Sequence, residues 1–171
     1  MAAPSKPAKK KAPNLKKETR TFFTYPTLHQ SVAQAVTADI GSTWFNEDEN
    51  DEEFDNEYGT CVMGRFACNT RSCKTRGWSS KVVAIVIRGY PGNGYNALVF
   101  NQSCISCNEL GNLKLHQQSY VDRVAYRLKK WAGVEVEQPH YERKDRGPHE
   151  SKFCEGCKKG VCPWTDIGKF C

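Results

Sequence analysis

Eight residues constrain this chain more than the rest of it. Cys68-Asn-Thr-Arg-Ser-Cys73 is a C-x4-C pair, Cys104-Ile-Ser-Cys107 is a C-x2-C pair, and His149-x4-Cys154-x2-Cys157-x4-Cys162 follows near the end. A C-x2-C turn aims two sulfurs at one point, and structural Zn2+ takes four such ligands tetrahedrally from Cys thiolate and His nitrogen. Thiolates are soft ligands and select zinc over magnesium or calcium. Seven cysteines and one histidine make two closed sites. The expectation is therefore two Zn2+ per chain, held by Cys68, Cys73, Cys104, Cys107, His149, Cys154, Cys157 and Cys162. Two pairings satisfy the spacing. In the first, Cys68, Cys73, Cys104 and Cys107 share one ion and the last four residues share the other. In the second, Cys104 and Cys107 join Cys154 and Cys157, leaving Cys68 and Cys73 with His149 and Cys162.

Metal also answers a shortage of core. The chain has 171 residues, of which 39% are hydrophobic and 26% charged, so something besides apolar burial is needed to hold it. Its nine cysteines are too few for a disulfide-dense scaffold. The first twenty residues are basic and lack the apolar run of a secretory signal, and nothing approaches the ~18 apolar residues of a membrane span. The reading is an intracellular chain, cytoplasmic or nuclear, with reduced cysteines, where closely spaced pairs mean metal.

The net charge of +6 divides into blocks. Residues 1–20 carry seven bases and one acid and read as a disordered basic tail. Residues 21–45 form a helical segment: Thr27 and Gln30 make a capping-box pattern, Leu28, Val32, Ala35, Val36 and Ile40 recur at helical spacing, and Gly41 is the stop. Residues 46–57 hold eight acids and no base and read as a solvated loop. The domain proper spans 58–165. Within it 62–68 and 78–88 read as strands, the second apolar on both faces and so covered on both sides. GYPGNG at 89–94 turns the chain into a returning strand over 95–102. The principal helix is 119–132, with Ser119 and Asp122 as its capping box and Gly133 after its end. Arg123, Arg127 and Lys130 form a stripe that reads as a solvated face, with phosphate tracking as the alternative. The fold class is α+β: a small zinc-stabilised domain, an antiparallel sheet with a zinc-ribbon-like hairpin, and one principal helix.

Other patterns weigh less. His140-Tyr-Glu142 before Cys154 and Cys157 imitates the H-x-E…C-x-x-C of zinc deaminases, but Phe153 replaces the proline and Cys162 or His149 fills the fourth position. His29 and His116 read as ordinary packing or surface histidines, and Cys61 and Cys171 as non-ligands.

Taken together the motifs resemble a known family. Gly64-Arg-Phe66-Ala-Cys68…Cys73…Trp78-Ser-Ser…Val82-Val-Ala-Ile-Val-Ile-Arg88, then Tyr95-Asn-Ala…Gln102-Ser-Cys104-x2-Cys107, is similar to the three-CxxC (3CxxC-type) zinc fingers. Ser119-Tyr-Val-Asp-Arg-Val-Ala-Tyr through Gly133, with Pro148-His149…Cys154-Glu-Gly-Cys157-Lys-Lys-Gly-Val-Cys162, looks like the fungal branch. The first pair departs from the pattern in being C-x4-C. The resemblance implies a zinc-binding module without enzymatic activity or small-molecule substrate. It also implies kinship with receptor-transporting proteins, which act in trafficking, and zygote-arrest proteins, which bind RNA. The expected partner is RNA, or alternatively a protein.

Overall fold

The computed structural model describes residues 16–139 and 149–163. Its elements are β1 (Phe22–Phe23), α1 (His29–Ile40), β2 (Trp44–Phe45), β3 (Asn56–Ala67), β4 (Gly77–Tyr90), β5 (Gly94–Phe100), β6 (Asn112–Leu115), α2 (Gln117–Trp131) and α3 (Glu155–Lys158). The strands form one sheet in the order β1-β5-β4-β3-β6, with β2 lying parallel against β5. Among the described residues no helix is long and apolar enough to cross a membrane.

β4 sits at the centre because its side chains are apolar on both faces. Val83, Ile85 and Ile87 point to one layer, where they meet Val62, Phe66, Ala97 and Val99, together with Val32 and Val36 of α1 and Tyr120, Val124 and Leu128 of α2. Ala84 and Val86 point the other way, where Leu98, Phe100, Cys154 and Cys162 cover them. Alternation of side chains across the pleat thus feeds two separate apolar layers. One is closed by helices and the other by a cysteine-bearing segment.

A bulge interrupts the β3–β4 pairing. Val62 faces Val83 and Gly64 faces Ser80, so β4 advances one residue more than β3. The extra residue flips the parity of β4, and Trp78 and Val83 both reach the helical layer. The N-terminus of α2 satisfies the backbone left free at Met63. The Met63 amide donates to Ser119 Oγ at 3.1 Å, and the Met63 carbonyl accepts from the His116 amide at 2.9 Å.

That arrangement corrects the expected caps. Ser119 is drawn into the bulge and does not start α2. The helix begins at Gln117, and His116 Nδ1 accepts from the Ser119 amide at 3.2 Å. Thr27 does not cap α1 either. Pro26 opens a 3-10 turn over Pro26–Leu28, and α1 starts at His29 with no side-chain cap. Gly41 and Gly133 do end their helices in left-handed backbone.

The basic stripe of α2 is not a solvated face. Arg123 is buried, and the Arg127 guanidinium lies 3.2 Å from the centroid of Tyr58 on β3, leaving Lys130 as the exposed member. The acidic segment also departs from a free loop. The Asp55 amide donates to the Gly89 carbonyl at 2.8 Å, Tyr90 Oη donates to the Asp51 carbonyl at 3.1 Å, and Asn96 Nδ2 donates to the Asn46 carbonyl at 2.6 Å. Glu57 belongs to β3 and pairs with Arg88 at 3.0 Å. The carboxylates remain largely exposed while the backbone is fastened to the turn end of the β4–β5 hairpin.

Candidate metal centres

The first cluster forms where β3 hands over to β4. Cys68 follows the last residue of β3, and its amide donates to the Arg76 carbonyl at 2.9 Å, which closes the loop that carries Cys73. Because β4 and β5 are antiparallel, the end of β5 returns to the start of β4. There the turn Cys104–Cys107 is held by the Asn108 amide on the Cys104 carbonyl at 2.8 Å and the Cys104 amide on the Glu109 carbonyl at 2.9 Å. Cys68 Sγ lies 3.6 Å from Cys107 Sγ, and Cys73 Sγ lies 3.8 Å from Cys104 Sγ. Sulfurs bound tetrahedrally at about 2.3 Å from zinc are about 3.8 Å apart. A disulfide would need about 2.05 Å, and all four thiols are free.

The second cluster is local in sequence. Residues 149–162 fold through a 3-10 turn at Ser151–Phe153 and α3, and Gly160 in left-handed backbone brings Cys162 back. His149 Nε2 lies 3.1 Å from Cys157 Sγ and 3.7 Å from Cys162 Sγ. A tetrahedral ion sets such nitrogen–sulfur separations near 3.6 Å. In each cluster the four ligand atoms lie within 4.8 Å of one another. Their number, type and spacing fit two zinc ions. The segment is pressed flat on the sheet: a Cβ added to Gly156 would stand 2.6 Å from Ala84 Cβ. Cys154 and Cys162 are each 2% exposed and complete the second apolar layer.

A short polar stretch after β5 joins the two. The Ser103 amide donates to the Phe153 carbonyl at 2.8 Å, and the Glu155 amide donates to the Asn101 carbonyl at 3.0 Å, while Cys104 follows directly. Gln102 is the centre of it. Trp78 Nε1 donates to Gln102 Oε1 at 3.1 Å, and Gln102 Nε2 donates to the Val82 carbonyl at 2.9 Å. Asn101 Nδ2 donates to the Gly111 carbonyl at 3.0 Å. Sequence reasoning passed over Asn101 and named Gln102 only inside the family motif, without a role. Their signal was two amides standing between an apolar strand and a C-x2-C turn.

The clusters differ electrostatically. In the first, burial pushes the Cys68 thiol up to about 12 and raises Cys73, whereas the Thr70 hydroxyl holds Cys107 down at about 7. In the second, hydrogen bonding from Cys162, reinforced by His149, holds Cys154 down at about 4, while burial and the neighbouring Cys154 charge raise Cys157. Each cluster thus sets a thiol held low, Cys107 or Cys154, beside at least one pushed up, Cys68 and Cys73 in the first and Cys157 in the second.

The structure brings together all eight residues singled out by spacing, in the first of the two pairings and not the interleaved one. Cys61 is buried in β3 and belongs to neither group, and, against the expectation of reduced cysteines, it is disulfide-bonded. His29 Nδ1 lies 3.3 Å from Tyr95 Oη, and His116 serves α2. His140, Glu142 and Cys171 lie outside the described residues.

A family model described as a zinc-binding domain, the 3CxxC zinc ribbon, matches residues 61–160. No curated protein and no solved structure matches the chain. The match spans more than half of the sequence, and the chain belongs to the 3CxxC zinc-ribbon family.

Proposed function

We propose that this zinc-ribbon chain is a non-enzymatic module with two structural zinc ions, and that its basic end binds nucleic acid, RNA in the first instance. Cys68, Cys73, Cys104 and Cys107 hold one ion, and His149, Cys154, Cys157 and Cys162 hold the other. When bound, each ion supplies a cross-link between segments. Four protein ligands leave no position for a water to be activated, in contrast to hydrolytic zinc. Free thiols of this kind belong in a reducing compartment, cytoplasmic or nuclear.

The observation that carries the nucleic-acid reading is the distribution of exposed charge. Arg65, Arg71, Lys74, Arg76, Lys81 and Lys114 are all exposed, and they cluster at the end that carries the first metal site. No acid interrupts residues 65–81. The acidic segment is fastened at the opposite end, beside Gly89 and Tyr90. Lys and Arg gathered on one surface form the usual footprint of phosphate binding.

A protein-interaction or trafficking adaptor is the second reading. It is favoured by Ile105, which stands 67% exposed at the tip of the Cys104–Cys107 turn. A pull-down from cell extract with and without nuclease separates the two. The nucleic-acid reading expects co-purifying RNA and loss of the bound proteins after nuclease. Proteins retained in full after nuclease, with no RNA recovered, would replace it with the adaptor.

A further inference from the structure

The basic end lacks what a reader of single strands needs. Among the described residues its aromatic side chains are Phe66 and Trp78, stacked on each other at 5.0 Å and 7° on the helical side of the sheet, and the half-buried Phe153, whose carbonyl accepts from Ser103 and whose ring lies under Lys152 at 4.9 Å. Gly111 lies against both rings: a Cβ there would come within 2.8 Å of Trp78 and 3.1 Å of Phe66. The indole N–H is committed to Gln102. Among the described residues the exposed large hydrophobics are Trp44 and Ile105. Trp44 is at the far end, donating from its indole nitrogen to the Pro91 carbonyl at 3.1 Å. Ile105 has no π-face. Single-strand binders stack successive bases on a row of exposed aromatic side chains, and among the described residues this end has no such exposed row.

It offers unmatched positive charge instead. Arg65 and Lys114 stand directly opposite each other across β3 and β6. Like charges in that position repel, and neither has a carboxylate partner among the described residues; the same holds for Lys74 and Lys81. Zinc held by four thiolates carries a formal double negative charge, which offsets part of this excess. Arg65, Lys74, Lys81 and Lys114 together exceed it. The neighbouring Glu109 is already engaged by Lys17 at 2.8 Å. β4 separates this end from the acidic one by on the order of 40 Å over its fourteen residues, so a polyanion meets attraction at one end and repulsion at the other.

We propose, resting on the nucleic-acid reading above, that this end grips the phosphate backbone of a double-stranded nucleic acid and does not read its bases. A duplex presents one charge per roughly 1.7 Å of axis, twice the density of a single strand. With no stacking platform to compensate, the single strand is the weaker ligand.

The test uses the zinc-loaded full chain and fluorescence anisotropy. The ligands are a short RNA duplex, a DNA duplex in two unrelated sequences, and a single-stranded polyuridine of equal length. A polyglutamate peptide serves as the protein-like polyanion. Titrations run at about 50 and about 200 mM salt, where roughly four phosphate contacts predict about a hundredfold loss of duplex affinity. The duplexes should bind at least about tenfold more tightly than polyuridine, with the two DNA sequences within about twofold of each other. A Lys74→Glu, Arg76→Glu double variant should flatten the logarithmic salt slope by about two, while Lys130→Glu, on α2, leaves it unchanged. Metal content and melting curves check that both variants stay folded. Polyuridine binding as tightly as duplex, a marked sequence preference, or an unchanged slope in the double variant overturns this inference and leaves the nucleic-acid reading standing. Polyglutamate binding as tightly as duplex assigns the surface to an acidic protein and overturns the inference. No binding to any nucleic acid overturns both.

Discussion

The first cluster draws its cysteines from segments 31 to 39 residues apart, whereas the second takes all four ligands from residues 149–162. Separation in sequence suggests that the first closes the larger loop and matters more. The packing argues the reverse. The two sides of the first cluster are already held together by the register of β3 with β4 and of β4 with β5. Metal there closes the tips of a sheet that pairs without it, and Cys68 and Cys107 remain partly exposed. The second segment has only the bridge of Cys154 to Gln102 and a one-turn helix. A piece that short cannot hold its own structure, yet it covers Ala84, Val86, Leu98 and Phe100. The local cluster is therefore the one on which the second apolar layer depends.

The largest effect should follow from Cys154→Ser. Losing that ligand releases the second ion and frees 149–163 from the sheet, at a cost of about 4 kcal/mol or more. Denaturant unfolding should show it, together with strong binding of an apolar dye to the uncovered face. Cys107→Ser should also lose one zinc equivalent but cost less, about 2–3 kcal/mol. Amide exchange should quicken over 68–76 and 101–110 while β4 and β5 stay protected. Equal destabilisation by the two substitutions would break the comparison.

Gly156→Ala sharpens it without touching a ligand. The new methyl would press on Ala84 Cβ, 2.6 Å away, with the Cβ atoms of Cys162 and Phe100 at 3.5 Å, and none of the three is the far end of a flexible side chain. Overpacking of that kind costs about 1–3 kcal/mol, measured by thermal melting with both zinc ions retained. A neutral result would mean that the segment does not sit flush on the sheet.

The smallest effect is in pH. Protons compete with zinc for thiolates, so both sites weaken as pH falls. The most lowered thiol of the second cluster, Cys154 at about 4, lies below that of the first, Cys107 at about 7. A lowered thiol has less proton to displace, so the second cluster should release its ion at the lower pH. An acid titration with a zinc-sensitive dye, run on Cys154→Ser and Cys107→Ser to isolate each site, reads the order. Simultaneous release would remove this distinction.

Much of the site was legible because metal ligation leaves a spacing signature that burial does not obscure. The eight residues were separable from Cys61 by spacing, since Cys61 falls inside an apolar strand with no C-x2-C or C-x4-C neighbour. The two-sided burial of β4 was visible in Val82–Ile87. What escaped were features settled by tertiary partners. β1 and β2 are two residues long and β6 four, too short for any alternation to register. Ser119 had a capping pattern but is used by Met63, two elements away in the sheet. Arg127 had a charged stripe around it, and only the position of Tyr58 turns it inward.

The measurement closest to the central claim is the zinc content of the full chain purified without added metal, by elemental analysis alongside native mass spectrometry. Two closed sites require two equivalents per chain, falling to one in Cys154→Ser and in Cys107→Ser. One equivalent or less in the unmodified chain, or a value of two that survives both substitutions, would contradict it.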